Sequence, residues 1–158
     1  MGNFRISNTY ISLHYHVIFS TKNRESLIHR KIEERVWAYF GGIARENKFK
    51  ARCVGGVENH VHLLLELPAA LAVSKAVQLL KGGSSMWIKD AFPEVAGIRQ
   101  FGWQDGYAAF TVSRSQLSEV ERYIVGQREH HKVKTFEEEF RAFLEKNEIS
   151  FETPYLYG

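Results

Sequence analysis

Glu58-Asn59-His60-Val61-His62-Leu63-Leu64-Leu65-Glu66-Leu67-Pro68 is the stretch whose reading decides the fold. Its side chains alternate at period two, the repeat of a β-strand, where successive residues face opposite sides of a sheet. Val61, Leu63, Leu65 and Leu67 share one face, which is wholly aliphatic and needs a cover of helices. His60, His62, Leu64 and Glu66 share the other. Two imidazoles side by side on that face are close enough to grip one metal ion. Pro68 ends the strand because it has no N–H for the ladder.

Outward from that strand, Ser118 to His131 reads as one helix. Ser118 with Glu121 three residues on is a capping-box start. Leu117, Val120, Ile124 and His131 fall on one side of it. Tyr123 and Gln127, four apart, meet on neighbouring turns. With His130 they flank the apolar stripe and are candidates for a site between helix and sheet.

The remaining segments fill in the order. Tyr10 to Thr21 is a strand whose His14 and His16 repeat the His-x-His spacing; they compete for the metal role and line the same sheet face or its edge. Arg30 to Asn47 is a helix with Ile32, Val36, Tyr39, Phe40 and Ile43 at buried spacing. Lys48 to Val57 is a strand interrupted by Gly55-Gly56, a bulge or a tight turn. A turn at Glu58-Asn59 makes it a hairpin with the histidine strand. Val73 to Asp90 is a second helix that Lys81-Gly82-Gly83-Ser84-Ser85 should break, exposing N–H groups beside a lysine. That suits a phosphate, but the stretch lacks a P-loop's spacing and a kink is the better reading. Phe92 to Gly106 is a long loop and Tyr107 to Ser113 a last strand. Trp103 and Tyr107 could stack on bases, worth about 1–3 kcal/mol each, though a structural aromatic is the better reading of either. Thr135 opens a terminal helix with an acidic first turn that complements its dipole. Phe151 to Gly158 reads as an arm.

Strand, helix, strand, strand, helix, strand is the ferredoxin-like β-α-β-β-α-β order. The expected fold is α+β: an antiparallel sheet with helices on one face, plus C-terminal helices that carry Tyr123. The second face is expected to stay open, with His60 and His62 on it.

With 158 residues, 44% of them hydrophobic, the chain has the size and core of one domain, residues 1–158. No apolar run reaches the roughly 18–20 residues of a membrane span, and Met1 to Arg5 shows no signal peptide, so the expected location is cytoplasmic. Cys53 is the only cysteine, which excludes an intrachain disulfide and reads as an inert thiol. There are 21 Lys and Arg against 18 Asp and Glu, a mildly basic balance that permits a polyanionic partner without demanding one.

Two strand histidines are too few for a structural zinc site, which takes four ligands. Two histidines and one neutral amide would leave open positions on the ion, the arrangement of a Lewis acid that polarises a phosphoryl oxygen. Tyr123 is then the nucleophile. Its phenol, with a reference pKa of about 10, needs help to ionise, and a nearby cation gives it. A phosphotyrosine ester keeps the bond energy of the broken phosphodiester, so a second strand end can reverse the step. A strand His-x-His alone is more often structural, and a lone helical tyrosine is more often packing. Their conjunction carries the reading.

These stretches resemble the small single-tyrosine transposases of the simplest bacterial insertion sequences, in the His-hydrophobic-His endonuclease superfamily. The resemblance rests on His16-Val17-Ile18-Phe19-Ser20-Thr21-Lys22-Asn23-Arg24, His60-Val61-His62-Leu63-Leu64, Leu80 to Ser85, Trp103 to Tyr107, Phe110 to Ser113, Tyr123 to His131 and Thr135 to Phe140. It implies that His60 and His62 hold a Mg²⁺ or Mn²⁺ ion, that Gln127 is the third ligand and that Tyr123 is the nucleophile. It also implies a single-stranded DNA substrate located by a subterminal hairpin, a 5′-phosphotyrosine with a freed 3′ hydroxyl, and a homodimer in which Tyr123 can complete the partner's site. Three features depart from the family. Asn59 stands where Asp is common, Gly126 lies inside the tyrosine helix at about 1 kcal/mol against Ala, and the C-terminal Pro154-Tyr155-Leu156-Tyr157 is unexpected. Tyr107, Tyr155 and Tyr157 rank behind Tyr123 as nucleophiles. The alternative is a non-catalytic or domesticated single-stranded nucleic-acid-binding protein of the same fold. A nucleotide hydrolase with His-x-His-x-His is disfavoured because position 64 is leucine.

Overall fold

The computed structural model describes residues 8–157; Met1 to Arg5, read above for a signal peptide, lie outside the described residues, as does Gly158 of the expected arm. Four strands, β1 (His14–Ser20), β2 (Lys50–Val57), β3 (His60–Glu66) and β4 (Ala108–Thr111), form one sheet in the order β2-β3-β1-β4. All three pairings are antiparallel. Helices α1 (Arg30–Glu46) and α2 (Val73–Ala91) lie in the two crossovers, which gives the ferredoxin-like topology.

The period-two reading of β3 holds residue by residue. Val61, Leu63 and Leu65 are fully buried and join Val17, Phe19, Phe40, Leu80 and Ile88 in the main core under α1 and α2. Each such side chain stabilises the fold by about 1.5–3 kcal/mol through loss of apolar surface to water. In the β1–β3 register Ile18 lies opposite His62 and His16 opposite Leu64, so these four share the second face. Phe110 and Ala108 join them from β4, opposite His16 and Ile18.

That second face is covered rather than open. Helices α3 (Leu117–Val125), α4 (Gln127–His130) and α5 (Phe136–Lys146) close over it, and His60 and His62 have no solvent exposure. The cause is apolar supply on both sides. Ile18, Ala108 and Phe110 need a cover, and Phe136, Phe140 and Leu144 of α5 provide it as a second small core. Leu64, Val112, Leu117 and Ile124 make a third. The C-terminal segment docks on the second core too, instead of forming a free arm. Leu156 is buried there, and Tyr157 Oη donates to Glu137 O at 3.2 Å.

Two local expectations change for identifiable reasons, and one preferred reading, that of Trp103, holds. Gly55-Gly56 makes neither a turn nor a bulge; β2 runs straight through it, and its irregularity lies between Ala51 and Cys53. The glycines are there because other backbone comes close: a Cβ on Gly55 would sit 2.5 Å from Ile124 O, and one on Gly56 2.2 Å from His60 O. Helix α2 is unbroken through Gly82-Gly83, so it offers no N-terminus to a phosphate there. Lys81 Nζ instead donates to Gln104 O at 2.7 Å and Gly106 O at 2.6 Å, pinning the loop before β4. Trp103 is buried, with its indole N–H on Ser84 Oγ at 3.0 Å, so it is a structural aromatic.

The tyrosine helix is two helices. Its N-cap falls on Gln116, without a side-chain cap bond, because burial of Leu117 draws the start forward of Ser118. It ends at Gly126, and α4 begins at Gln127. No helix among the described residues is long and apolar enough to cross a membrane.

Candidate active site

The β2–β3 hairpin, turning at Glu58-Asn59, sends His60 and His62 under α4 and α5. Asn59 Oδ1 accepts from His60 Nδ1 at 2.8 Å. That bond turns Nε2 of His60 toward the helices, where it lies 3.2 Å from Gln127 Oε1 and 3.5 Å from Glu139 Oε1. His62 is held in the same way from behind, its Nδ1 being 2.8 Å from His16 Nε2. Its own Nε2 lies 2.9 Å from Glu139 Oε1. His131, one residue past α4, has Nδ1 on the Lys134 carbonyl at 2.7 Å and Nε2 on Gln127 Oε1 at 2.9 Å. Ligand atoms of His60, His62, His131 and Glu139 all lie within 4.8 Å of one another, an arrangement that could hold a metal ion.

Tyr123, on the last turn of α3, reaches the same carboxylate. Its hydroxyl donates to Glu139 Oε2 in a short hydrogen bond and lies 3.3 Å from His130 Nε2. Its ring is 5.7 Å from that of His62, in edge-on contact. Gln127 Nε2 donates back to Tyr123 O at 3.2 Å, tying α4 to α3 across Gly126. Of the residues singled out from the sequence, His60, His62, Tyr123, Gln127, His130 and His131 therefore converge. His16 joins them as a support, while His14 lies apart beside Glu66 at 3.4 Å.

Glu139 is the residue at the centre that the sequence reading passed over. Thr135 caps α5, accepting from the Glu138 N–H, and Glu139 sits in the first turn with Glu137 and Glu138. As one of three acids at a helix start it reads as a dipole complement, yet it is 2% exposed while Glu138 faces solvent.

The electrostatics follow from burial around one carboxylate. Burial alone would raise the Glu139 carboxyl, but hydrogen bonds from His131, His60 and His62 outweigh it and hold the group below the usual carboxylate range. Burial lowers His60 to about 4, against the pull of Glu139, and lowers His16 to about 3. Tyr123 is pushed up, first by burial and then by its bond to Glu139. Two small clefts reach it from outside. One, of about 250 Å³, is lined by His16, Val120, Phe143 and Lys146; the other, of about 190 Å³, by His130, Lys134, Glu139 and Lys146.

A ferredoxin-like sheet, a paired-histidine strand, and a helical tyrosine sharing a buried carboxylate with it define the class of protein. Residues 9–127 match the family model described as Transposase IS200 like, and the chain belongs to that family of transposases. It is 27% identical over 117 residues to the ISDra2 transposase TnpA of Deinococcus radiodurans, spanning 73% of this chain and 84% of that one. To the transposase for insertion sequence element IS200 of Salmonella typhimurium it is 25% identical over 131 residues, 81% of this chain and 85% of the relative. The crystal structure of a protein assigned as a transposase from D. radiodurans superposes with a TM-score of 0.62 at 25% identity, covering 78% of this chain and 95% of that one. A REP-associated tyrosine transposase bound to a REP hairpin shares the fold, with a TM-score of 0.53 at 16% identity over 78% of this chain and 70% of that one. The family match ends at Gln127, so His130, His131 and Glu139 lie beyond it.

Proposed function

We propose that this transposase cuts and rejoins single-stranded DNA at insertion-element ends, with Tyr123 as nucleophile and a divalent cation, Mg²⁺ or Mn²⁺, held by His60, His62 and Gln127. The observation that carries the reading is the carboxylate of Glu139, which one side shares with His62 and the other with the Tyr123 hydroxyl. A nucleophile and a cation site built on one bridging group are already in reach of a common phosphate.

The donor set fits a divalent cation: buried imidazole nitrogens and carboxylate or amide oxygens converge, and a buried carboxylate needs a positive partner. When bound, the cation would polarise the scissile phosphate and favour the ionised phenol. The chain's own groups do the rest. Asn59 and His16 hold the two strand imidazoles from behind, and such outer partners fix ring orientation. Tyr123 Oη attacks phosphorus as the P–O3′ bond breaks. The phenolic proton passes to Glu139 Oε2, which already accepts it in a hydrogen bond, and the departing 3′ oxygen takes up a proton from solvent water. The product is a 5′-phosphotyrosine and a free 3′ hydroxyl, and a second 3′ hydroxyl can reverse the step without an outside energy source. Lys134 and Lys146 on the clefts beside Tyr123 give the strand's phosphates cations to approach.

The proposal includes recognition of a subterminal hairpin, which agrees with the hairpin-bound neighbour of the same fold. It also includes a homodimer, as the family resemblance implies. It takes Tyr123 as acting within its own chain, since the carboxylate it meets belongs to that chain.

The test is incubation with single-stranded DNA carrying a hairpin and Mn²⁺, followed by a denaturing gel. A covalent protein–DNA band is expected, absent in Tyr123→Phe and in His62→Ala. A band of equal yield in Tyr123→Phe would remove Tyr123 from the role. Binding of the DNA with no band, unchanged by chelation, would favour the non-catalytic alternative.

A further inference from the structure

Beside β4, the edge strand farthest from β2, lies a cleft of about 630 Å³, larger than either cleft at Tyr123. The loop before β4 supplies Gln104, Asp105 and Tyr107 to it, α5 supplies Phe140 and Leu144, and the C-terminal segment supplies Glu152 and Tyr155. Gln104 is 3% exposed, and half of its amide is already used, because Oε1 accepts from the Ser20 N–H at 2.6 Å. Only the oxygen can accept that hydrogen, so Nε2 is the free branch. Among the described residues this nitrogen has no hydrogen-bond partner. A buried donor is normally matched, and this one belongs to a residue that lines the cleft. Its backbone is held in place: Gln104 N donates to Ser20 O at 2.9 Å, and Lys81 Nζ grips Gln104 O at 2.7 Å and Gly106 O at 2.6 Å. The only charges on the lining are the carboxylates of Asp105 and Glu152. They repel a phosphate and favour a neutral group that carries N–H donors. Two tyrosines present rings there: Tyr155 is 77% exposed, and Tyr107 is steadied by Lys81 Nζ, 5.7 Å from its ring centre.

We infer that this cleft takes one unpaired guanine of the DNA strand and reads its Watson–Crick edge. The inference rests on the single-stranded DNA substrate proposed above and names a place where the protein itself reads sequence. Guanine O6 accepts from Gln104 Nε2, and the neighbouring N1–H and N2–H₂ donate to the two carboxylate oxygens of Asp105. Adenine and cytosine put one exocyclic amino group on that edge and thymine a single ring N–H, so none offers a carboxylate two adjacent donors beside an acceptor. Tyr155 and Tyr107 give the face of the base aromatic rings to stack on, as single-stranded nucleic acid is commonly held. The route from the reacting centre is short. Phe140 and Leu144 line this cleft, while Glu139 and Phe143 of the same helix line a cleft at Tyr123. A helix is about 10–12 Å across, so a strand with its scissile phosphate at Tyr123 passes over α5 within a few nucleotides.

The test is fluorescence anisotropy of the full-length protein with labelled thymidine dodecamers that carry one central guanine, hypoxanthine, adenine or cytosine, without divalent cation so that no strand is cut. The guanine strand should bind the wild type about 5–150-fold tighter than the adenine or all-thymidine strand, the range for one bidentate base contact. Hypoxanthine keeps O6 and N1–H but lacks the amino group, and should lose most of that gain. Asp105→Asn should abolish the preference and leave affinity for the all-thymidine strand unchanged or higher. Tyr155→Ala should weaken binding of the guanine strand about tenfold, a loss that Tyr155→Phe restores. Both side chains are exposed, so these variants should keep the wild-type circular dichroism. Equal affinity for the guanine and adenine strands, a preference for another base, or a guanine preference that survives Asp105→Asn would overturn the inference and leave the covalent adduct of Tyr123 untouched. Binding to none of the strands would overturn it together with the reading of single-stranded DNA as substrate.

Discussion

Replacing Gly55 by alanine tests how the tyrosine helix is seated on the sheet. A Cβ at this position would lie 2.5 Å from Ile124 O and 3.0 Å from Ile124 Cγ2. Ordinary contact begins near 3.4 Å, so α3 must retreat by about 0.9 Å at the carbonyl next to Tyr123. The obstacle is backbone at both ends, β2 on one side and a helical carbonyl on the other, so no rotamer change relieves it. Overpacking of this kind costs about 1–3 kcal/mol of stability. A misplacement of about 1 Å at a reacting group can cost on the order of 100-fold in rate. Gly55→Ala should therefore melt a few degrees early yet remain folded at 25 °C, and form the covalent DNA adduct about 10–100-fold more slowly. Its Mn²⁺ affinity should fall less, because His60 and His62 sit on β3 and do not ride on α3. Single-turnover cleavage alongside a Mn²⁺ titration reads both quantities. Adduct formation at the wild-type rate, with the melting loss present, would refute the idea that α3's seat on Gly55 positions the nucleophile.

Gly82→Ala should stabilise the protein by about 0.5–1 kcal/mol, because a Cβ there meets nothing within 4 Å, whereas Gly83→Ala, 3.0 Å from Ile43 Cδ1, should gain less or lose; urea midpoints compare them. Ser84→Ala leaves the buried Trp103 indole N–H without its acceptor and should cost about 1–3 kcal/mol, read by chemical denaturation. Stability of the metal-free protein should depend on acid. Burial holds His16 at about 3 and His60 at about 4, so both stay neutral when folded but take up protons near pH 6.5 once unfolded. The unfolded chain then binds more protons, and stability falls as pH drops from about 6.5 toward about 4, by up to about 2.7 kcal/mol per unit where both contribute. A urea midpoint unchanged between pH 7 and pH 5 would contradict this.

How much of this was legible beforehand differs element by element. The faces of β3 were, because period two is a local property and Val61 through Leu67 obey it without exception. The ferredoxin-like order was too, from the spacing of apolar stretches. Gly55-Gly56 looked like punctuation because its reasons are close approaches of other backbone, Ile124 on α3 for Gly55 and His60 across the hairpin for Gly56, and a local reading has only turn chemistry to offer for adjacent glycines. The covered second face follows from apolar supply, which was visible in Phe136, Phe140 and Leu144 but was credited to a separate helix. Glu139 looked like the third of three acids at a helix start. The signal that separates it from Glu138 was present, since it lies three residues after Phe136 and four before Phe143, on the apolar stripe. An acid on a buried stripe calls for cationic or hydrogen-bonding partners, and His62 and His131 are those partners.

The central claim is that Tyr123 becomes joined to DNA. It is tested most directly by protease digestion and mass spectrometry of the adduct formed from hairpin-bearing single-stranded DNA and Mn²⁺. The account predicts a nucleotide attached through its 5′ phosphate to the peptide that contains Tyr123, with the other DNA fragment ending in a free 3′ hydroxyl. Attachment to Tyr107, Tyr155 or Tyr157, or cleavage that leaves no protein–DNA bond, would contradict it.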